Sequence, residues 1–93
     1  MRFNVEFNEE AKKEFKAIPK EFQELIKRAI EERLETDPIS YGKPLRYSWK
    51  GHRSLRVSKY RVLYRVIEVK NNVLVVRIEI RRDVYEEIGR AHV

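Results

Sequence analysis

Phe3, Val5 and Phe7 alternate with Arg2, Asn4 and Glu6, the period of two expected of a strand with one buried face. Asn8 follows as a helix cap, Glu9 and Glu10 suit the positive end of the helix dipole, and Ala11, Phe15 and Ile18 form an apolar stripe. Pro19 ends that helix and is tolerated as the first residue of the next. There Phe22, Leu25, Ile26, Ala29, Ile30 and Leu34 recur at helical spacing over about four turns. Asp37-Pro38 stops the second helix, because the residue before a proline avoids helical geometry. A loop with Gly42, Pro44 and Gly51 comes next, in which Tyr47 and Trp49 are expected to pack as a flap over the core edge. Strands are predicted near 53 to 57, 60 to 68 and 74 to 80, and Asp83 is placed to cap a short last helix through Ile88.

The resulting order, β-α-α-β-β-β with a terminal helix, is an α+β fold. Its C-terminal strands run antiparallel and its helical hairpin packs on one sheet face. A chain of 93 residues has room for one core, so a single domain over 1–93 is expected.

Register sorts the faces. A two-residue turn at Ser58-Lys59 pairs Val57 with Tyr60 and Arg56 with Arg61. A turn at Lys70-Asn71-Asn72 pairs Val69 with Val73, which sets Arg65 opposite Arg77 and Arg61 opposite Arg81. Leu55, Val57, Tyr60, Val62, Tyr64, Val66, Leu74, Val76, Ile78 and Ile80 then share the core face. Arg56, Arg61, Arg65, Arg77, Glu79 and Arg81 share the other. Like charges directly opposite cost a sheet up to about 1 kcal/mol when nothing neutralises them. The Arg56–Arg61 rung therefore asks for an anion, and guanidinium forks converging on one spot suit a phosphate. Glu79 reads more simply as an ion-pair partner of Arg77 and Arg81 than as a general base.

Charge sharpens this picture. The formal net charge is +6, and from Arg46 to Arg82 the acids are Glu68 and Glu79 alone, the footprint of a polyanionic partner. There is no cysteine, which excludes thiolate catalysis and Cys-based metal sites, and His52 and His92 lie far apart, so neither a metal nor a cofactor is expected. No apolar run reaches the length of a membrane span, and the opening MRFNVEFNEE carries acids where a signal peptide is apolar; a cytoplasmic protein is expected. Tyr85 in the closing RRDVY lies just past the last strand, placed either to stack on a base or to cover the core.

The strand YRVLYRV, the following VLVVRIEI and the closing RRDVY, taken with the element order, resemble the RelE toxins of the RelE/ParE superfamily over nearly the whole chain. The resemblance implies a metal-independent endoribonuclease, an mRNA interferase that cuts messenger in the ribosomal A site and so inhibits translation. It implies a cognate RelB-like antitoxin that holds the toxin inactive in a higher-order hetero-oligomer. By the same resemblance Arg61 stabilises the charged transition state, Arg81 acts on the leaving oxygen and Tyr85 stacks on the substrate base. Arg56 is the best match to a basic residue that assists attack, ahead of Arg53, which faces the core side. Arg53, Lys59, Arg65, Arg77 and Arg82 complete the expected RNA-binding set. Ile80 stands where many relatives carry histidine or lysine, and the preceding strand has arginine and serine where lysines are frequent. The alternatives are a ParE-like inhibitor of DNA gyrase, without chemistry of its own, and an inactive RNA- or antitoxin-binding module of the same fold.

Overall fold

In the computed structural model, which describes residues 2–80, Asn8 accepts the Ala11 amide at 2.8 Å and starts helix α1 (Glu9–Lys16) directly after strand β1 (Asn4–Phe7). Pro19 sits at the head of α2 (Lys20–Ala29), which runs on into a π-helical turn at Ile30–Leu34. That wider turn brings residues four apart more nearly into line, and Ile26, Ile30 and Leu34 are all buried. Asp37 does more than stop the helix. Its carboxylate accepts the Ser40 amide and begins a one-turn helix, α3 (Pro38–Tyr41), in a segment expected to be loop. Strand β2 (Lys43–Pro44), also unanticipated, leads to the 46–52 loop, then to β3 (Arg53–Val57), β4 (Tyr60–Ile67) and β5 (Asn72–Ile80). No helix among the described residues is long and apolar enough to cross a membrane.

The sheet order is β1-β5-β4-β3-β2, with β1 parallel to β5 and the other pairs antiparallel. Both long helices lie on one face, as expected. Ala11, Ile18, Ile26, Ala29, Ile30 and Leu34 meet Leu55, Val57, Tyr60, Val62, Tyr64, Val73, Val75 and Ile78 in one core. Phe22 of α2 packs edge-on against Tyr60, closing the core beside the hairpin turn. The deepest aromatic, Tyr64, donates its hydroxyl to the Pro38 carbonyl at 2.6 Å. Gly42 lies over that hydroxyl so closely that a Cβ there would fall 1.9 Å from it, which fixes glycine at this position.

The β4–β5 register departs from the expected one. Arg61 stands opposite Glu79, not Arg81, and Arg65 stands opposite Leu74, not Arg77. The chain turns through a 3-10 segment at Glu68–Lys70 with Asn71 in the left-handed region, and Val66 pairs with Val73. Between Leu63↔Arg77 and Tyr64↔Val75 the ladder slips by one residue, so Val76 is an extra residue in β5. The bulge changes which side chains face the helices. Before it Val73 and Val75 are fully buried, while Leu74 and Val76, expected in the core, are only half-buried; after it Ile78 returns to the core and Ile80 is exposed. The flap is corrected too. Tyr47, with a positive φ of 56°, is 89% exposed, and Trp49 meets His52 edge-on rather than the core.

Candidate functional site

The site begins at the β3–β4 hairpin, where Ser58 takes a φ of 55° and the two-residue turn places Val57 opposite Tyr60 and Arg56 opposite Arg61. Arg56 and Arg61 are thus neighbours across one rung, as the sequence predicts. They differ in what holds them. Arg61 donates through Nη2 to Glu79 Oε2 at 2.7 Å, whereas Arg56 is exposed and makes no ion pair among the described residues. Arg61 Nε is buried and finds no acceptor among them. The rung therefore combines one oriented guanidinium with an unused donor and one guanidinium open to solvent.

Glu79 is shared, with its other oxygen 4.0 Å from Arg77 Nη2. Arg77 is itself fixed from the far side by Glu14 of α1, whose Oε2 accepts from Arg77 Nε at 2.9 Å and whose Oε1 accepts the Ile78 amide at 2.6 Å. The Glu14 hydrogen bond pushes the Arg77 guanidinium further above its ordinary range. Glu14 also has a backbone task, because β1 ends opposite Val75 and, among the described residues, leaves the outer edge of β5 without a strand beyond that point. Arg77 belongs to this tie between helix and sheet.

The remaining residues separate. Arg53 gives Nη2 to the carbonyls of Ile39 and Gly42, at 2.5 and 2.8 Å, and so clamps the α3 turn. Lys59 leans to the helix side, its Nζ 4.9 Å from the Phe22 ring centroid. Arg65 is exposed in a separate hollow with Arg53 and Val69. Arg81, Arg82, Tyr85, His92 and the expected terminal helix lie outside the described residues.

Arg56 and Arg61 open into a groove of about 620 Å³ that runs round the edge of β3. Beside them its wall carries Arg33 from the π-helical turn, Tyr41 from α3 and Lys43 from β2, and among the described residues no carboxylate lines it. None of these three was singled out from the sequence. Arg33 sits on the polar side of its helix like any solvated charge, and Tyr41 lies in a stretch read as loop. Four cations facing one groove can hold an anionic chain whose phosphates are spaced along it.

The chain is similar to proteins of one kind. The family model described as ParE toxin of type II toxin-antitoxin system, parDE, matches residues 5–85. Toxin RelG of Mycobacterium tuberculosis (strain ATCC 25618 / H37Rv) is 29% identical over 91% of this chain and 98% of its own. Among solved structures, a chain of the toxin-antitoxin complex RelBE2 from M. tuberculosis superposes with a TM-score of 0.82 at 27% identity, covering 87% of this chain and 93% of that one. The isolated RelE toxin of E. coli does so with a TM-score of 0.72 at 26% identity, covering 98% and 99%.

Proposed function

The chain belongs to the ParE toxin family of type II toxin–antitoxin systems, within the RelE/ParE superfamily, and on that premise we propose that it is a RelE-type toxin that cleaves messenger RNA on the ribosome. The observation that carries this reading is the Arg56–Arg61 rung, two guanidinium groups paired across one hairpin and lining one groove, one oriented by Glu79 and one exposed. The similarity to toxins named RelG and RelE supports it.

In this reading the 2′-hydroxyl of a messenger nucleotide gives its proton to water as it attacks the adjacent phosphate, the bond to the 5′-oxygen of the next nucleotide breaks to leave a 2′,3′-cyclic phosphate, the 5′-oxygen takes a proton from water, and negative charge builds on the phosphoryl oxygens meanwhile. Arg61 and Arg56 donate to those oxygens, and donors fixed in advance where charge develops lower the barrier by several kcal/mol. Arginine keeps its proton at working pH, so both act by stabilising charge. Arg81 serves the leaving oxygen and Tyr85 stacks on the base. The ribosome positions the messenger, which accounts for so spare a set of groups. The partner is a RelB-like antitoxin, as in the RelBE2 complex to which the fold is similar, in a higher-order hetero-oligomer.

A second reading, inhibition of DNA gyrase by a toxin of the same fold, is favoured by the ParE description of the matching family. Primer extension on a messenger with and without ribosomes, beside a gyrase supercoiling assay, separates the two. Ribosome-dependent cuts with unaltered supercoiling are expected.

A further inference from the structure

Tyr41 is half on the surface, 53% exposed, at the end of a helix only four residues long. A tyrosine there has no core to fill. The Arg33 guanidinium carbon lies 6.0 Å from its ring centroid and braces the ring from the π-helical turn. The same ring lines the groove that holds Arg56 and Arg61, and Lys43 stands two residues further along the chain on the same wall. A braced, half-exposed aromatic ring beside a row of cations is the arrangement that holds single-stranded nucleic acid, the bases stacking and the phosphates pairing with the charges. The backbone at this edge leaves room, because β2 pairs only with Arg53 and Ser54 and leaves Leu55–Val57 without a strand on that side among the described residues. The groove volume of about 620 Å³ falls within the roughly 300–1,000 Å³ usual for small-molecule sites, enough for a nucleotide.

We propose that Tyr41 is a base-stacking residue for the RNA strand, holding the base of a nucleotide next to the phosphate bound at Arg56 and Arg61, with Lys43 and Arg33 on the flanking phosphates. This rests on the reading of the chain as an RNA-cleaving toxin and gives the strand a path, round the β3 edge and over α3. Stacking accepts any base, so the groove favours single-stranded RNA of any sequence, and codon preference arises elsewhere.

The test is a double-mutant cycle between protein and RNA. Affinity for a single-stranded RNA hexamer, and for hexamers carrying one abasic nucleotide at each position in turn, is measured by fluorescence anisotropy at low salt with the original protein, Tyr41→Leu and Tyr41→Phe. Tyr41→Leu is expected to weaken the intact hexamer about tenfold and Tyr41→Phe by less than about twofold. An abasic nucleotide at one position should weaken the original protein about as much, and should have little further effect on Tyr41→Leu. Loss of that coupling, or equal hexamer affinity for Tyr41→Leu and the original, overturns the proposal. So does binding of a charge-matched acidic peptide to the groove with no Tyr41-dependent RNA binding, which makes the groove a protein-docking surface. Ribosome-dependent cleavage is measured on the same preparations. Coupled binding by a protein that never cuts messenger upholds the Tyr41 assignment and removes the proposed reaction; cutting without coupling does the reverse.

Discussion

Glu79 accepts a hydrogen bond from Arg61 at 2.7 Å across the β4–β5 ladder, so the rung in which Arg61 faces Arg56 carries one neutralised guanidinium and one with no ion pair among the described residues. The register expected from residue pattern places Arg81 opposite Arg61 and leaves that rung without an acid, whereas the bulge in β5 brings Glu79 there. With Glu79 there, the repulsion between the two arginines is largely offset. Arg56→Thr should therefore change stability by less than about 1 kcal/mol in either direction in a denaturant melt.

Removing the acid has a different signature. Glu79→Gln leaves two cations facing each other and a half-buried Arg61 without its charged acceptor. A loss of about 1–2 kcal/mol is expected. Sulfate should restore much of that loss, because an anion that binds only the folded rung shifts the unfolding equilibrium. A thermal melt across a sulfate series checks this, with a larger midpoint rise for the variant than for the original protein.

Glu14 ties α1 to β5 through the Arg77 side chain and the Ile78 amide. Glu14→Ala strands both donors at a partly buried site, and a cost of about 2–3 kcal/mol is expected in denaturant. Arg77→Gln frees only one of the two bonds and should cost less. The reverse order would show that the tie does not run through the Ile78 amide.

Tyr64 gives the alkaline limit. Burial, opposed by the nearby Arg53, raises its phenol above the ordinary value of about 10. The unfolded chain therefore releases that proton first. The stability due to the neutral phenol is complete below about pH 10 and is lost as pH rises from there through the folded-state value. Tyr64→Phe should cost about 1 kcal/mol at neutral pH, from the donor lost to Pro38, and make the decline of stability above pH 10 shallower. Gly42→Ala should be worse, about 1–3 kcal/mol, because its Cβ overlaps the Tyr64 hydroxyl, and should be milder in the Tyr64→Phe background.

Much of this was legible in residue pattern alone, and the rest had physical reasons to be hidden. The Ser58-Lys59 turn is short enough to have one register, so the Arg56–Arg61 pairing followed from it. The Val73–Val76 run is apolar throughout and offers no alternation to fix a phase, so the bulge at Val76 and the pairing of Arg61 with Glu79 were not visible. Lys59 could have pointed to either side of its turn, and only the Phe22 ring decides. Arg33, Tyr41 and Lys43 converge through the α3 turn that Asp37 caps and Arg53 clamps, a tertiary arrangement with no sequence period.

Whether the proposed phosphate site at the Arg56–Arg61 rung serves cleavage of ribosome-bound messenger is decided by primer extension on one messenger, with and without ribosomes, for the original protein and for Arg56→Thr of confirmed native stability. The expected result is cleavage by the original protein only when ribosomes are present, reduced about tenfold or more in the variant. Equal cutting of naked RNA, or a variant that cuts as fast as the original, would contradict it.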